Sequence, residues 1–162
     1  MIVVVFGLPG TGKSHFARLL ADTLDAVYLG TDVEREKLGE RGRYTPEAKQ
    51  RVYGALLEKM AAAAGSRDVV VDGTFHERSR RNLFRRRAIA GGQRIRFIEM
   101  AAERETVERR LARDRPHSEA DRQVHDKLAE RFEPMREPHL HLWSDKLDPA
   151  EMAAAARRYI DG

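Results

Sequence analysis

The sequence predicts an α/β fold in which a parallel sheet is covered by helices on both faces. Three observations carry that expectation. Strand-length apolar runs alternate with helical patterns along the chain, a glycine-rich loop joins the first such pair, and 162 residues suffice for one core and little more. Val3 to Phe6 read as a short buried strand. From His15 to Leu20 a helix begins, with Phe16, Leu19 and Leu20 on one side.

The elements follow in order. A second strand is expected over Ala26 to Gly30. Thr31 and Glu34 then fit a T-x-x-E capping box that opens a short helix through Leu38, broken by Gly39 and Gly42. Thr45 caps the next helix with Pro46 at its first position. Val52, Leu56, Met60 and Ala63 recur at helical spacing up to Gly65, and "DVVVDG" (68–73) is a third buried strand. A basic helix runs from Arg80 to Ala90 and ends at Gly91-Gly92, followed by a fourth strand over Ile95 to Met100. Helices are expected at Glu103–Arg113 and at Glu119–Phe132, the latter opened by Ser118-x-x-Asp121. "HLHLW" (139–143) supplies a fifth strand, and Asp148-Pro149-x-Glu151 caps a last helix carrying Met152, Ala156 and Tyr159. The expectation is one domain over 1–162, with ligands bound beyond the carboxyl ends of the strands.

Composition narrows the classes. No apolar run approaches the ~20 residues needed to span a bilayer, the first strand starts too early for a signal peptide, and cysteine is absent. These features fit a cytoplasmic protein without disulfide or thiol chemistry, and the capped helices and uninterrupted sheet suggest a monomer. Net charge is +4, and arginines concentrate between Arg78 and Arg96. Because the stretch "RSRRNLFRRR" (78–87) lacks interleaved aromatics for base stacking, a solvated helix face is preferred over a nucleic-acid surface.

The chemistry centres on Gly7-Leu8-Pro9-Gly10-Thr11-Gly12-Lys13-Ser14, which satisfies G-x-x-x-x-G-K-[ST] in a strand–loop–helix context. Glycines let successive backbone N–H groups turn towards phosphate oxygens beside the positive end of the next helix, which starts near His15. Lys13 then reaches the outer phosphates and the Ser14 hydroxyl ligates Mg²⁺. Asp72 ends the third strand without the adjacent glutamate of a hydrolytic motor; it suits an Mg²⁺-associated or hydrogen-bonding role, or else a turn-forming Asp-Gly. Asp32 falls in the first turn of its helix, three residues before Arg35. There it either draws a proton from a hydroxyl nucleophile that Arg35 orients, or caps the helix. Arg109 and Arg113 lie opposite Val107 and Leu111 on a helix, as paired lid arginines would, with Arg110 and Arg115 competing for that role.

With these residues in view, the chain resembles the small P-loop kinases that phosphorylate hydroxyl groups. These include the 5′-kinase domain of polynucleotide kinases, zeta toxins, chloramphenicol phosphotransferase and gluconate kinase. It looks most like the stand-alone ATP-binding AAA-domain kinases of the zeta-toxin and polynucleotide-kinase type. The likeness spans residues 1 to 145 and rests on GLPGTGKS, Asp-x-x-Arg at 32–35, VVVDGT at 69–74 and Arg-x-x-x-Arg at 109–113. It implies a P-loop NTPase three-layer sandwich with a five-stranded parallel sheet and a helical lid at about 103–132. It further implies ATP and Mg²⁺ as cofactors, Asp32 as base, Arg35 on the acceptor, and Arg109 and Arg113 in the lid. His15 departs from the usual threonine after GKS, and "GERGRYTPEAK" (39–49), where relatives form the acceptor pocket, carries no substrate-specific signature. A small-molecule hydroxyl is the preferred acceptor, a 5′-hydroxyl nucleic-acid end the alternative, and an ATP-binding switch without transfer the rival from another class. His139 and His141 share a strand face, but no third metal ligand follows them, so structural or surface roles are expected.

Overall fold

A computed structural model describes residues 1–114 and 125–162. Five strands, β1 (Ile2–Phe6), β2 (Val27–Gly30), β3 (Val69–Gly73), β4 (Ile95–Ala101) and β5 (Leu140–Trp143), form one sheet in the order β2-β3-β1-β4-β5. All four pairings are parallel. The helices are α1 (Lys13–Thr23), α2 (Thr31–Lys37), α3 (Pro46–Ala63), α4 (Arg78–Ala90), α5 (Arg104–Asp114) and α6 (Pro149–Asp161). Residues 125–130 are also helical; the rest of the helix expected over Glu119–Phe132, with its Ser118–Asp121 cap, lies outside the described residues.

Side chains alternate across a strand, so one apolar run feeds two cores. Ile2, Val4, Phe6, Val69, Val71 and Phe97 face α3 and α4. Val3, Val5, Val70, Ile98, Met100 and Leu142 face α1 and α6. Every residue of β1 is buried because it is the central strand with both faces covered. This is the expected P-loop three-layer sandwich.

Local signals set most helix starts. The Thr45 side chain accepts from the Ala48 N–H at 3.2 Å with Pro46 behind it, and Asp148 and Glu151 close a reciprocal capping box at α6. The T-x-x-E box expected at Thr31 does not form. Gly30 is the N-cap of α2, Thr31 is already helical, and the Glu34 carboxylate is instead held by Lys59 of α3 at 2.5 and 2.7 Å. A tertiary ion pair outcompetes the local cap, since Glu34 is buried between two helices and needs a cation there.

Candidate active site

β1 leads directly into the glycine loop, and β3 and β2 end beside it: Val5 is in register with Asp72, and Asp72 with Gly30. Gly7 has φ of 150°, and a side chain there would strike the carbonyl oxygen of Met100 on β4. Gly10 has φ of 80°, and a Cβ would lie 2.9 Å from Val107 of α5. Both positions therefore require glycine for shape and for space. Thr11 is buried and donates to the Leu8 carbonyl at 2.8 Å, and Lys13 Nζ lies 3.4 Å from the same oxygen. Gly12 is the N-cap of α1, no side chain caps that end, and no acid stands in its first turn. The first amides of α1, from Lys13 through Ser14 and the exposed His15, are thus left for an anion. The loop of Gly7, Leu8, Pro9, Gly10, Thr11, Gly12, Lys13 and Ser14 runs from β1 into α1, with positive φ at Gly7, Gly10 and Gly12.

Asp72 is nearly fully buried. Its Oδ2 accepts from the Tyr28 hydroxyl at 2.8 Å, while Oδ1 is buried without a partner. Burial, then the Asp72 charge and the hydrogen bond to it, push the Tyr28 hydroxyl well above its usual range, so Tyr28 stays a donor. An orphaned carboxylate oxygen beside a phosphate loop fits a hydrated divalent cation, and the hard oxygen donors of Ser14 and Asp72 suit Mg²⁺. Asp32 is exposed in the first turn of α2 and close enough for its charge to act on Tyr28. Asp32 and Asp72 therefore share one edge of the sheet.

Arg35 is placed differently from the expectation. It is buried, donates from Nη1 to the Arg43 carbonyl at 2.6 Å and lies 4.6 Å from the centre of the Tyr44 ring. It holds the wall formed by the 39–49 stretch. Glu40, also buried, is tied to Arg51 in the same wall. Tyr53 accepts the Phe75 N–H at 3.1 Å with Arg80 over its ring at 4.2 Å, and burial pushes its hydroxyl up to about 12.

The expected lid arginines lie on the exposed face of α5. Arg109 is exposed on α5 and donates to Thr106 at 3.0 Å, and Arg113 is exposed as well. The arginine on the loop is Arg110, which donates to the Gly10 carbonyl at 3.2 Å and to Ser144 Oγ at 2.8 Å; Ser144 in turn donates to the Thr11 carbonyl at 2.7 Å. Helical periodicity separates the two faces of α5 correctly. The buried Val107 side packs on the phosphate loop, so the residue one turn along that side reaches it, and the opposite face looks away. Arg115 lies outside the described residues. Ser144 and Tyr28 carried no local signal, because each acquires its role through a partner distant in the chain.

The arginines of 78–96 are largely engaged within the fold. Arg81 is buried and donates to the Phe75 and Glu133 carbonyls at 2.6 Å each. Arg85 pairs with Glu137 at 3.3 Å, and Arg94 donates to the Ile160 carbonyl at 3.3 Å. Arg96 covers the Tyr159 ring. No helix among the described residues is long and apolar enough to cross a membrane.

Comparison with known proteins places the chain. Residues 2–135 match AAA_33, an AAA domain, and the chain belongs to that family. A UPF0200 protein of Aeropyrum pernix is 46% identical over 66 residues, a stretch covering 40% of this chain and only 35% of that protein. Among solved structures, the APS kinase CysC of Mycobacterium tuberculosis in complex with AMPPNP and APS superposes with a TM-score of 0.80 at 20% identity, covering 99% of this chain and 97% of that one. A sugar kinase from Janibacter sp. HTCC2649 gives 0.74 at 20% identity, covering 99% and 94%. The chain has the fold these P-loop kinases share.

Proposed function

We propose that this AAA_33 chain transfers the γ-phosphoryl group of Mg-ATP to a hydroxyl of a small molecule, as a stand-alone kinase of the zeta-toxin and polynucleotide-kinase type. The observation that carries the reading is the convergence of the Gly7–Ser14 loop, the uncapped start of α1, Asp32 and Asp72 at adjacent strand ends. The loop amides and Lys13 would hold the β- and γ-phosphates, with Ser14 and Asp72 as the Mg²⁺ side; the ion would offset phosphate charge. Asp32 would take the proton of the acceptor hydroxyl as its oxygen attacks phosphorus. The bond from phosphorus to the bridging oxygen then breaks, and ADP leaves with the electron pair. Arg35 would act through the wall it holds, and Arg110 would tie the lid to the loop. Arg109 and Arg113 would reach the phosphates only after α5 turns.

A small acceptor is favoured because so much of the arginine segment is engaged in internal contacts. The test is transfer of labelled γ-phosphate to a panel of sugars, antibiotics and a 5′-hydroxyl oligonucleotide, wild type beside Asp32→Ala. The expected result is a labelled small alcohol, with a roughly 10²–10⁴-fold loss in the variant and ATP affinity retained. Undiminished product in the variant removes Asp32 from the mechanism. Labelled oligonucleotide would replace the small acceptor, and ATP binding without transfer to any acceptor would favour a regulatory module.

A further inference from the structure

On the far side of β1 from Asp72, a second group of side chains has no part in phosphoryl transfer. Glu99 of β4 is in register with His141 of the edge strand β5, and His139 lies two residues before His141. One ligand atom from each of the three falls within 4.8 Å of the others. We propose that Glu99, His139 and His141 form a binding site for a divalent transition metal of the zinc class.

The hydrogen bonds of His139 carry the argument. Its Nδ1 lies 2.9 Å from the Glu137 carbonyl, which can only accept, so the ring proton sits on Nδ1. The Nε2 lone pair of the neutral ring then faces Glu99 Oε2 at 3.0 Å. Two acceptors at that distance repel unless a second proton or a cation lies with them. The carbonyl bond to the outer ring nitrogen is the arrangement that orients a metal-bound imidazole. His141 Nδ1 is 4.0 Å from the same Glu99 oxygen. A tetrahedral ion with bonds of ~2.1 Å sets its ligands about 3.4 Å apart, between the two observed separations. Two imidazoles and one carboxylate suit zinc, cobalt or nickel rather than magnesium. The exposure of His141 leaves the fourth position to water. Sequence spacing could not supply the third ligand, which stands forty residues upstream of His139 and arrives through strand pairing.

Trp143 provides the readout. It is the sole tryptophan, and its ring stacks on His141 with centroids 5.5 Å apart. Chelator-stripped protein is titrated with Co²⁺, following quenching of Trp143 and the visible bands of tetrahedral cobalt. We expect saturation at one equivalent, with competition by Zn²⁺. His141→Ala and Glu99→Gln should each weaken binding by more than the ~10–100-fold typical of an outer-shell change. Asp72→Asn, on the Mg²⁺ side, should leave the titration unchanged. Thermal melts of the metal-free variants check their folding, and the exposed His141→Ala suffices if Glu99→Gln does not fold. Absence of saturable quenching, or an unaltered titration in folded His141→Ala, overturns the site and leaves a second proton on His139 as the explanation of its contact with Glu99.

Discussion

The phosphate side of the site is held by main chain, and the side facing α2 and α3 by buried charge. Around the loop, Thr11, Lys13, Ser144 and Arg110 all donate to backbone carbonyls, and glycines admit β4 and α5 to close range. Across the sheet edge, Glu34 pairs with Lys59, Glu40 with Arg51, and Arg35 with the Arg43 carbonyl, while Tyr28 and Tyr53 keep their protons. Backbone geometry serves any nucleoside triphosphate. Under the proposed function, the side-chain network on the α2 and α3 side would meet the acceptor, so the two halves would answer different demands.

The largest effect expected is on the main-chain half. Gly7→Ala places a methyl group against the Met100 carbonyl of a central strand, with φ of 150°. Overpacking at about 1–3 kcal/mol and backbone strain at about 1–3 kcal/mol predict a loss of roughly 2–6 kcal/mol in denaturant unfolding, with nucleotide binding lost in parallel. A loss under ~1 kcal/mol would mean that β1 and β4 can part at the loop, and the contrast between the halves would weaken.

The buried-charge half should show itself through alkaline pH. Tyr53 is protonated in both folded and unfolded chains below pH ~10. Above that, the unfolded tyrosine ionises first, while the folded one holds its proton until about 12. The unfolded state then binds fewer protons, so stability falls as pH rises across this window, by about 3 kcal/mol at ~1.4 kcal/mol per unit. Tyr53→Phe should flatten that part of the slope while costing about 1 kcal/mol at neutral pH through the lost Phe75 bond. Equal slopes in both proteins would assign the alkaline loss elsewhere.

The smallest effect separates two adjacent arginines. Arg110→Ala breaks the link from α5 to Gly10 and Ser144 and should cost about 1–2 kcal/mol, whereas Arg109→Ala should fall within ~0.5 kcal/mol of wild type. Equal costs in urea unfolding would erase the distinction between the two faces of α5.

The strands, the loop and the caps at Thr45 and Asp148 were legible because each depends on residues within a few positions of one another: alternation, turn glycines and a side chain reaching its own helix start. The same locality placed Asp32 in the first turn of α2 even though Thr31 does not cap it. Where two long-range demands met, local reading failed. Glu34 answers to Lys59 instead of to Thr31, and Val107 turns towards Gly10, which puts Arg110 on the loop in place of Arg109.

By itself, the sequence determined the alternating elements, the phosphate loop and the residue types offered at the strand ends, since backbone preference and periodicity are properties of short segments. Tertiary structure alone decided which face of α5 meets the loop, that Tyr28 donates to Asp72, and that Glu99 meets His141 of the edge strand and His139 just before it. Those outcomes depend on which buried groups find a partner once the sheet brings distant segments within a few ångströms, and desolvation makes leaving one unpaired costly.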